Sequence, residues 1–134
     1  MSASRALQVA VVAALRGDPG VAAIVGQKVL DRPEPRTPKP YISMGPESFE
    51  PLRQDCFKRR VAVLQIDAWT RDAYDRVPCK DLVDAIVGAL DQAKLDLAHP
   101  HDLSRCDVIL ARVIDDPDGI TTHGIVQIET EITG

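Results

Sequence analysis

The chain has 134 residues, 45% of them apolar, a formal charge of -4 and a pI near 5.3. Its length predicts one domain over residues 1–134, because two pieces would each bury too little surface. Its mild acidity excludes a protein that grips nucleic acid through a basic face. Aromatic residues make up only 4%, so the core has to rest on Val, Ile, Leu and Ala.

The first predicted element is a helix that starts near Ser2 or Ser4. Leu7, Val11 and Leu15 recur every four residues with Ala10 and Ala14 beside them, which lays one apolar stripe along it. The run Ala6 to Leu15 follows Arg5 in the manner of a signal peptide, but Gln8 interrupts it and no A-x-A cleavage pattern follows. About ten residues is also half the length that a bilayer crossing needs, so no membrane partner is expected. Gly17, Asp18, Pro19 and Gly20 stop the helix, Val21 to Val25 add one or two turns closed by Gly26, and Lys28 to Asp31 reads as a short strand.

Four prolines between Arg32 and Pro40 remove amide donors and fix φ, which predicts an extended connector. A short strand, Tyr41 to Gly45, follows. Pro46 to Arg60 then reads as a long loop or an irregular hairpin carrying Phe49, Phe57 and the basic group Arg53, Lys58, Arg59 and Arg60.

Val61 to Trp69 has the clearest strand pattern: Ala62, Leu64, Ile66 and Ala68 on one face, Val61, Val63, Gln65, Asp67 and Trp69 on the other. A polar turn from Thr70 to Asp75 leads into a helix over Val77 to Lys94, with Pro78 in its first turn and Leu82, Val83, Ile86, Val87 and Leu90 forming its apolar stripe. Val108 to Ile114 is apolar on both faces except at Arg112, the pattern of an interior strand. Val126, Ile128 and Ile132 alternate with Gln127, Glu129 and Glu131, the pattern of a half-buried strand with a charged outer face. The order α, β, β, β, α, β, β predicts an α/β protein of the α+β type, a mostly antiparallel sheet of four to five strands with two main helices on one face.

The chemistry-bearing residues assemble no catalytic set. Cys56, Cys79 and Cys106 are odd in number and include no CxxC pair, which favours neither a disulfide framework nor a zinc finger and fits a reducing compartment. His99, His101 and Cys106 carry donor atoms for zinc without the spacing of a closed site. Asp115, Asp116 and Asp118 precede Gly119 as in a calcium loop, but no Glu follows six positions on, and a reverse turn explains them equally. Neither a G-x-S-x-G elbow nor a phosphate-cradling G-x-x-x-x-G-K occurs. No enzyme activity, cofactor or metal is expected. Trp69, next to Thr70 and Arg71, reads either as a core or rim aromatic or as an interface anchor. The final strand reads as a sheet edge open to a neighbouring chain, its Glu129 and Glu131 discouraging unwanted pairing.

Several short islands then carry a resemblance: Asp18-Pro19 to Val25-Gly26 with Val29, Pro40-Tyr41-Ile42, Gln65-Ile66-Asp67-Ala68-Trp69-Thr70-Arg71, the Leu82 to Leu90 helix, and His123-Gly124. In this order they resemble the tail terminator, or tail completion, proteins of long-tailed bacteriophages and gene transfer agents. The resemblance implies a homo-hexameric ring that ends the tail tube, contacts the major tail protein and the head-side stopper or connector, and passes DNA through its channel without binding it strongly. It further implies assembly in the bacterial cytoplasm and residence in the neck of the particle. Interface candidates are Phe49, Arg53, Phe57, Lys58, Arg59, Arg60, Trp69, Arg71, Glu129 and Glu131, with the basic stretch of one subunit expected to face Glu129 and Glu131 of the next. Met44 to Arg60 matches the family least and is expected to hold partner-specific contacts. The competing readings are another neck component or a tail-assembly chaperone, and a small ligand-binding α/β domain.

Overall fold

The structure is a computed structural model that describes residues 1–54, 57–72 and 75–134. Cys56 lies outside the described residues, as do the side chains of Arg53 and Phe57 and the middle of the turn from Thr70 to Asp75.

Helix α1 spans Ala3–Gly17 and begins where Ser2 caps it, its hydroxyl accepting from the Arg5 amide at 3.1 Å. Asp18 repeats the device for α2, Pro19–Val25, by accepting from the Val21 amide at 3.0 Å, with Pro19 in the first turn and Gly26 (φ 62°) ending it. The two helices meet at 82°, and among the described residues no single helix is long and apolar enough to cross a membrane. Strand β1 is only Val29–Leu30, and the proline connector returns the chain to β2, Tyr41–Gln54.

Strands β2 and β3 (Phe57–Thr70) form one long antiparallel hairpin paired from Tyr41↔Trp69 to Gln54↔Phe57. The stretch Pro46 to Arg60, ambiguous between loop and hairpin in the sequence, is therefore a hairpin with both arms in strand. A bulge between Met44 and Glu47 sets Gly45 and Pro46 against the single residue Gln65, so Pro46 need not sit in a regular ladder.

Helix α3 spans Val77–Leu90, shorter than the expected Val77 to Lys94. Its end is captured by the next strand: the Gln92 amide donates to the Cys106 carbonyl at 2.9 Å, and the Asp91 carboxylate accepts from the Val108 amide at 3.0 Å. Strands β4 (Asp102–Asp115) and β5 (Thr122–Thr133) complete a five-stranded sheet in the order β1-β2-β3-β5-β4. Three of its pairings are antiparallel and only β1 with β2 is parallel.

This order overturns two expectations. The final strand is interior, held by β3 on one side and β4 on the other, and so offers no free edge. Val108 to Ile114, expected inside, lies on the edge strand β4. Both patterns misled for one reason: β5 is covered on only one face and keeps its polar alternation although its backbone is fully paired, while β4 leaves Ile109 and Leu110 exposed.

All three helices pack on the same sheet face. Ala62, Leu64, Ile66 and Ala68 of β3 and Val126, Ile128 and Ile132 of β5 meet Leu7, Val11, Leu15, Leu82, Ile86 and Leu90 in one buried cluster. Gly124 sits at the tightest point, where an added Cβ would run into Val83 and stand 3.1 Å from both Ala68 and the Cys79 sulfur.

Candidate interaction surfaces

The sheet face away from the helices carries an ordered polar cluster. Strand pairing sets Trp69 opposite His123 and Asp67 opposite Ile125, so side chains from β2, β3 and β5 converge there. The Trp69 and His123 rings stack with centroids 3.9 Å apart and planes 9° from parallel. The Trp69 indole donates to the Ser43 hydroxyl at 2.9 Å, which satisfies its only polar atom. Asp67, 7% exposed, lies 2.7 Å from His123 Nε2 and accepts from Gln65 at 2.9 Å, and Gln127 donates to Gln65 at 3.1 Å. A Cβ on Gly45 would fall 2.6 Å from the Asp67 carboxylate, so the β2 bulge needs glycine there to let the cluster close. Trp69 thus sits at the rim and not in the core: it is half-buried and fixed on two sides.

Along the same face, beyond Gln127, lies a charged ladder. Arg105 of β4 reaches Glu129 at 2.8 Å, Asp107 at 3.2 Å and Glu131 at 3.4 Å, and Arg59 of β3 reaches Glu131 at 2.7 Å. The expectation that the basic stretch meets Glu129 and Glu131 of a neighbour is altered by this geometry, because Arg59 and Glu131 already pair within the chain. Arg105 did not figure among the candidates. Its role depends on the register that sets it opposite Glu131, and no local pattern in the sequence contains that information.

The remaining candidates scatter. Arg60 lies over the Phe49 ring at 4.3 Å, on the helix side of the hairpin, where Phe49 is 49% exposed. Lys58 and Arg71 are exposed near opposite ends of β3. Arg53 and Phe57 are placed by backbone register alone, opposite Lys58 and Gln54.

Of the metal and turn candidates, His101, Cys106, Asp115 and Asp118 have structural partners. His101 is buried, with Nδ1 3.0 Å from the Gly134 carbonyl and Nε2 2.8 Å from the Met1 carbonyl, and so ties the two ends of the chain together. The Cys106 thiol donates to the Leu90 carbonyl at 3.3 Å, and burial, aided by the charges of Asp107 and Asp91, pushes it up to about 11. Asp118 accepts from the Thr121 hydroxyl (2.6 Å), the Thr121 amide (2.7 Å) and the Ile120 amide (2.9 Å), which builds the β4–β5 turn and holds its carboxyl at about 2. Asp115 receives two bonds from Arg76, at 2.7 and 2.6 Å, joining the start of α3 to the end of β4.

A family model described as tail completion protein gp17 matches residues 9–133. The chain is 28% identical over 130 residues to the tail completion protein gp17 of Bacillus phage SPP1, a match that covers 97% of this chain and 94% of that protein. Among solved structures it resembles a chain in the virion of a native gene transfer agent particle, with a TM-score of 0.89 and 26% identity over 99% of this chain and 98% of the other. It also resembles the bacteriophage SPP1 gp17 protein, with a TM-score of 0.63 and 28% identity over 96% and 89% of the two chains.

Proposed function

We infer, on the premise that the chain belongs to the tail completion protein gp17 family and is a structural tail protein of a phage or phage-like particle, that copies of it close into a ring at the head-proximal end of the tail tube. In this reading one domain spanning the whole chain forms a homo-hexamer that stops addition of the major tail protein and presents a docking surface to the head-side connector. The ring then gives DNA a channel. The protein assembles in the bacterial cytoplasm, ends in the neck of the particle, and does no catalysis.

The observation that carries this reading is the end-to-end likeness to a chain of an assembled gene transfer agent virion, which spans nearly the full length of both chains. The physics of the surface is consistent with it. A mildly acidic chain would let DNA pass, whereas a lining that neutralised phosphates would hold it. A rigid cluster such as Trp69, His123, Asp67 and Ser43 gives a docking partner a surface whose side chains need no further ordering.

Light scattering on the purified protein, alone and with its major tail protein, followed by negative-stain imaging, tests the reading. Rings, or tubes capped at a fixed length, are expected. A strict monomer that never joins a tube would shift the assignment to a tail-assembly chaperone or a small ligand-binding domain.

A further inference from the structure

The sheet has two unfinished edges, at opposite ends of the strand order. Strand β1 covers the outer side of β2 only at Ile42 and Ser43, so that side runs on unpaired from Gly45 toward Gln54, and β4 is unpaired along its whole outer side. Edges of this kind template association unless they are blocked. Among the described residues six large apolar side chains are exposed, and four of them lie at these edges: Val9 and Phe49 beside β2, and Ile109 and Leu110 on β4. The outer part of β4, Val108 to Ile114, has no proline or lysine and a single charge, Arg112. A bulge between Val108 and Leu110 turns Ile109 out of the regular alternation.

The two edges also complement each other. Where a longer β1 would have continued, a groove of 350 Å³ lies between α1 and β2, lined by Val9 and Leu64 and by the carboxylates of Asp31 and Glu47, with Arg5 at its side. At the other end of the molecule a hollow between α3 and β4 is lined by Lys80, Arg112 and Asp84 with apolar Val83, Ala111 and Val113. One edge thus pairs apolar side chains with two carboxylates and one guanidinium, and the other pairs apolar side chains with two cations and one carboxylate, so the two carry opposite net charge.

We propose that the β4 edge of one copy seats against the α1–β2 groove of the next, with Ile109 and Leu110 meeting Val9 and Arg112 meeting Glu47. The contact uses two different patches, so it is head-to-tail and propagates around a ring if the rotation closes. It deepens the ring reading above and rests on it. Pro46 and Pro51 remove amide donors from β2, so the seam is held by side chains and not by a continuous ladder. The contact needs neither Glu129 nor Glu131, both of which pair within the chain.

The test is a mixing experiment on the full-length protein, read by light scattering. I109D/L110D damages one patch and V9D the other, and each variant alone is expected to self-associate roughly a hundredfold more weakly than the parent, since each buries an unpaired charge. Mixed together, the two variants still share one intact seam and should form a one-to-one heterodimer that grows no further. Circular dichroism on each variant establishes that it is folded, and R112E with E47R, mixed or combined, provides a pair that alters no apolar contact and should restore association that either change alone weakens. If the parent assembles and the folded variants assemble equally well, or if the mixture gives no heterodimer, the seam is wrong while the ring reading stands. If the parent assembles neither alone nor on tail tubes, the ring reading fails and the seam fails with it.

Discussion

At the scale of single residues, the short words that the family resemblance rests on become contacts. Asp67, Ala68 and Trp69 lie on β3, His123 and Gly124 on β5, and the register sets Trp69 against His123 and Ala68 against Gly124. One strand face builds the polar cluster and the other builds the closest approach of α3 to the sheet. Gly124→Ala is therefore expected to destabilise the fold by about 1–3 kcal/mol, the usual cost of overpacking a tight site, because Val83 and Cys79 have to move; denaturant unfolding measures it. Asp118 gives a pH prediction. Its carboxyl lies at about 2 instead of the ordinary 3.8 because Thr121 and Ile120 donate to it, so its support for the turn is complete above pH 3.8 and is lost as pH falls through about 2. The Ile120 and Thr121 amide resonances should follow that titration, and Asp118→Asn should abolish it.

At the scale of elements, the helices were legible because their information is local. Ser2, Asp18, Pro19, Gly26 and Pro78 lie where capping chemistry needs them, and the apolar stripes have the helical period. The end of α3 was misplaced because Asp91 and Gln92 are taken by β4, a partner sixteen or so positions away. The hairpin between Met44 and Arg60 is ambiguous in the sequence because its residues alternate poorly: Glu47 and Phe49 share the helix side of β2 with neither fully buried. Much of this arm is exposed, including Pro46 and Ser48 to Pro51, so it is expected to carry partner-specific contacts. Shortening it by equal numbers of residues from each arm should leave the fold intact and weaken binding to the tail tube or connector; a shortened protein that still forms rings and binds tubes normally would refute that role.

At the scale of the whole molecule, charge placement decides which surfaces are available. Arg59, Arg105, Asp107, Glu129 and Glu131 form a ladder within one chain, and each pair is partly exposed, so such pairs contribute about 0–1 kcal/mol apiece. Arg59→Glu should accordingly lower stability by at most about 1 kcal/mol and leave self-association unchanged, as measured by light scattering across a concentration series. A large loss of assembly would instead place Arg59 in the subunit contact.

The class of the protein is legible from the amino-acid order: the helices, the strand pattern of β3 and β5, the face of the sheet that meets the helices, and the family. Each of these depends on residues a few positions apart, or on short words that survive as words. The tertiary structure alone decided which strand is an edge, which charges are already paired, and that Trp69 stacks on His123 fifty-four positions away. Strand order and register join residues far apart in the chain, and β5 shows why periodicity cannot supply them: a strand covered on one face alternates in the same way whether its backbone is paired on one side or on both.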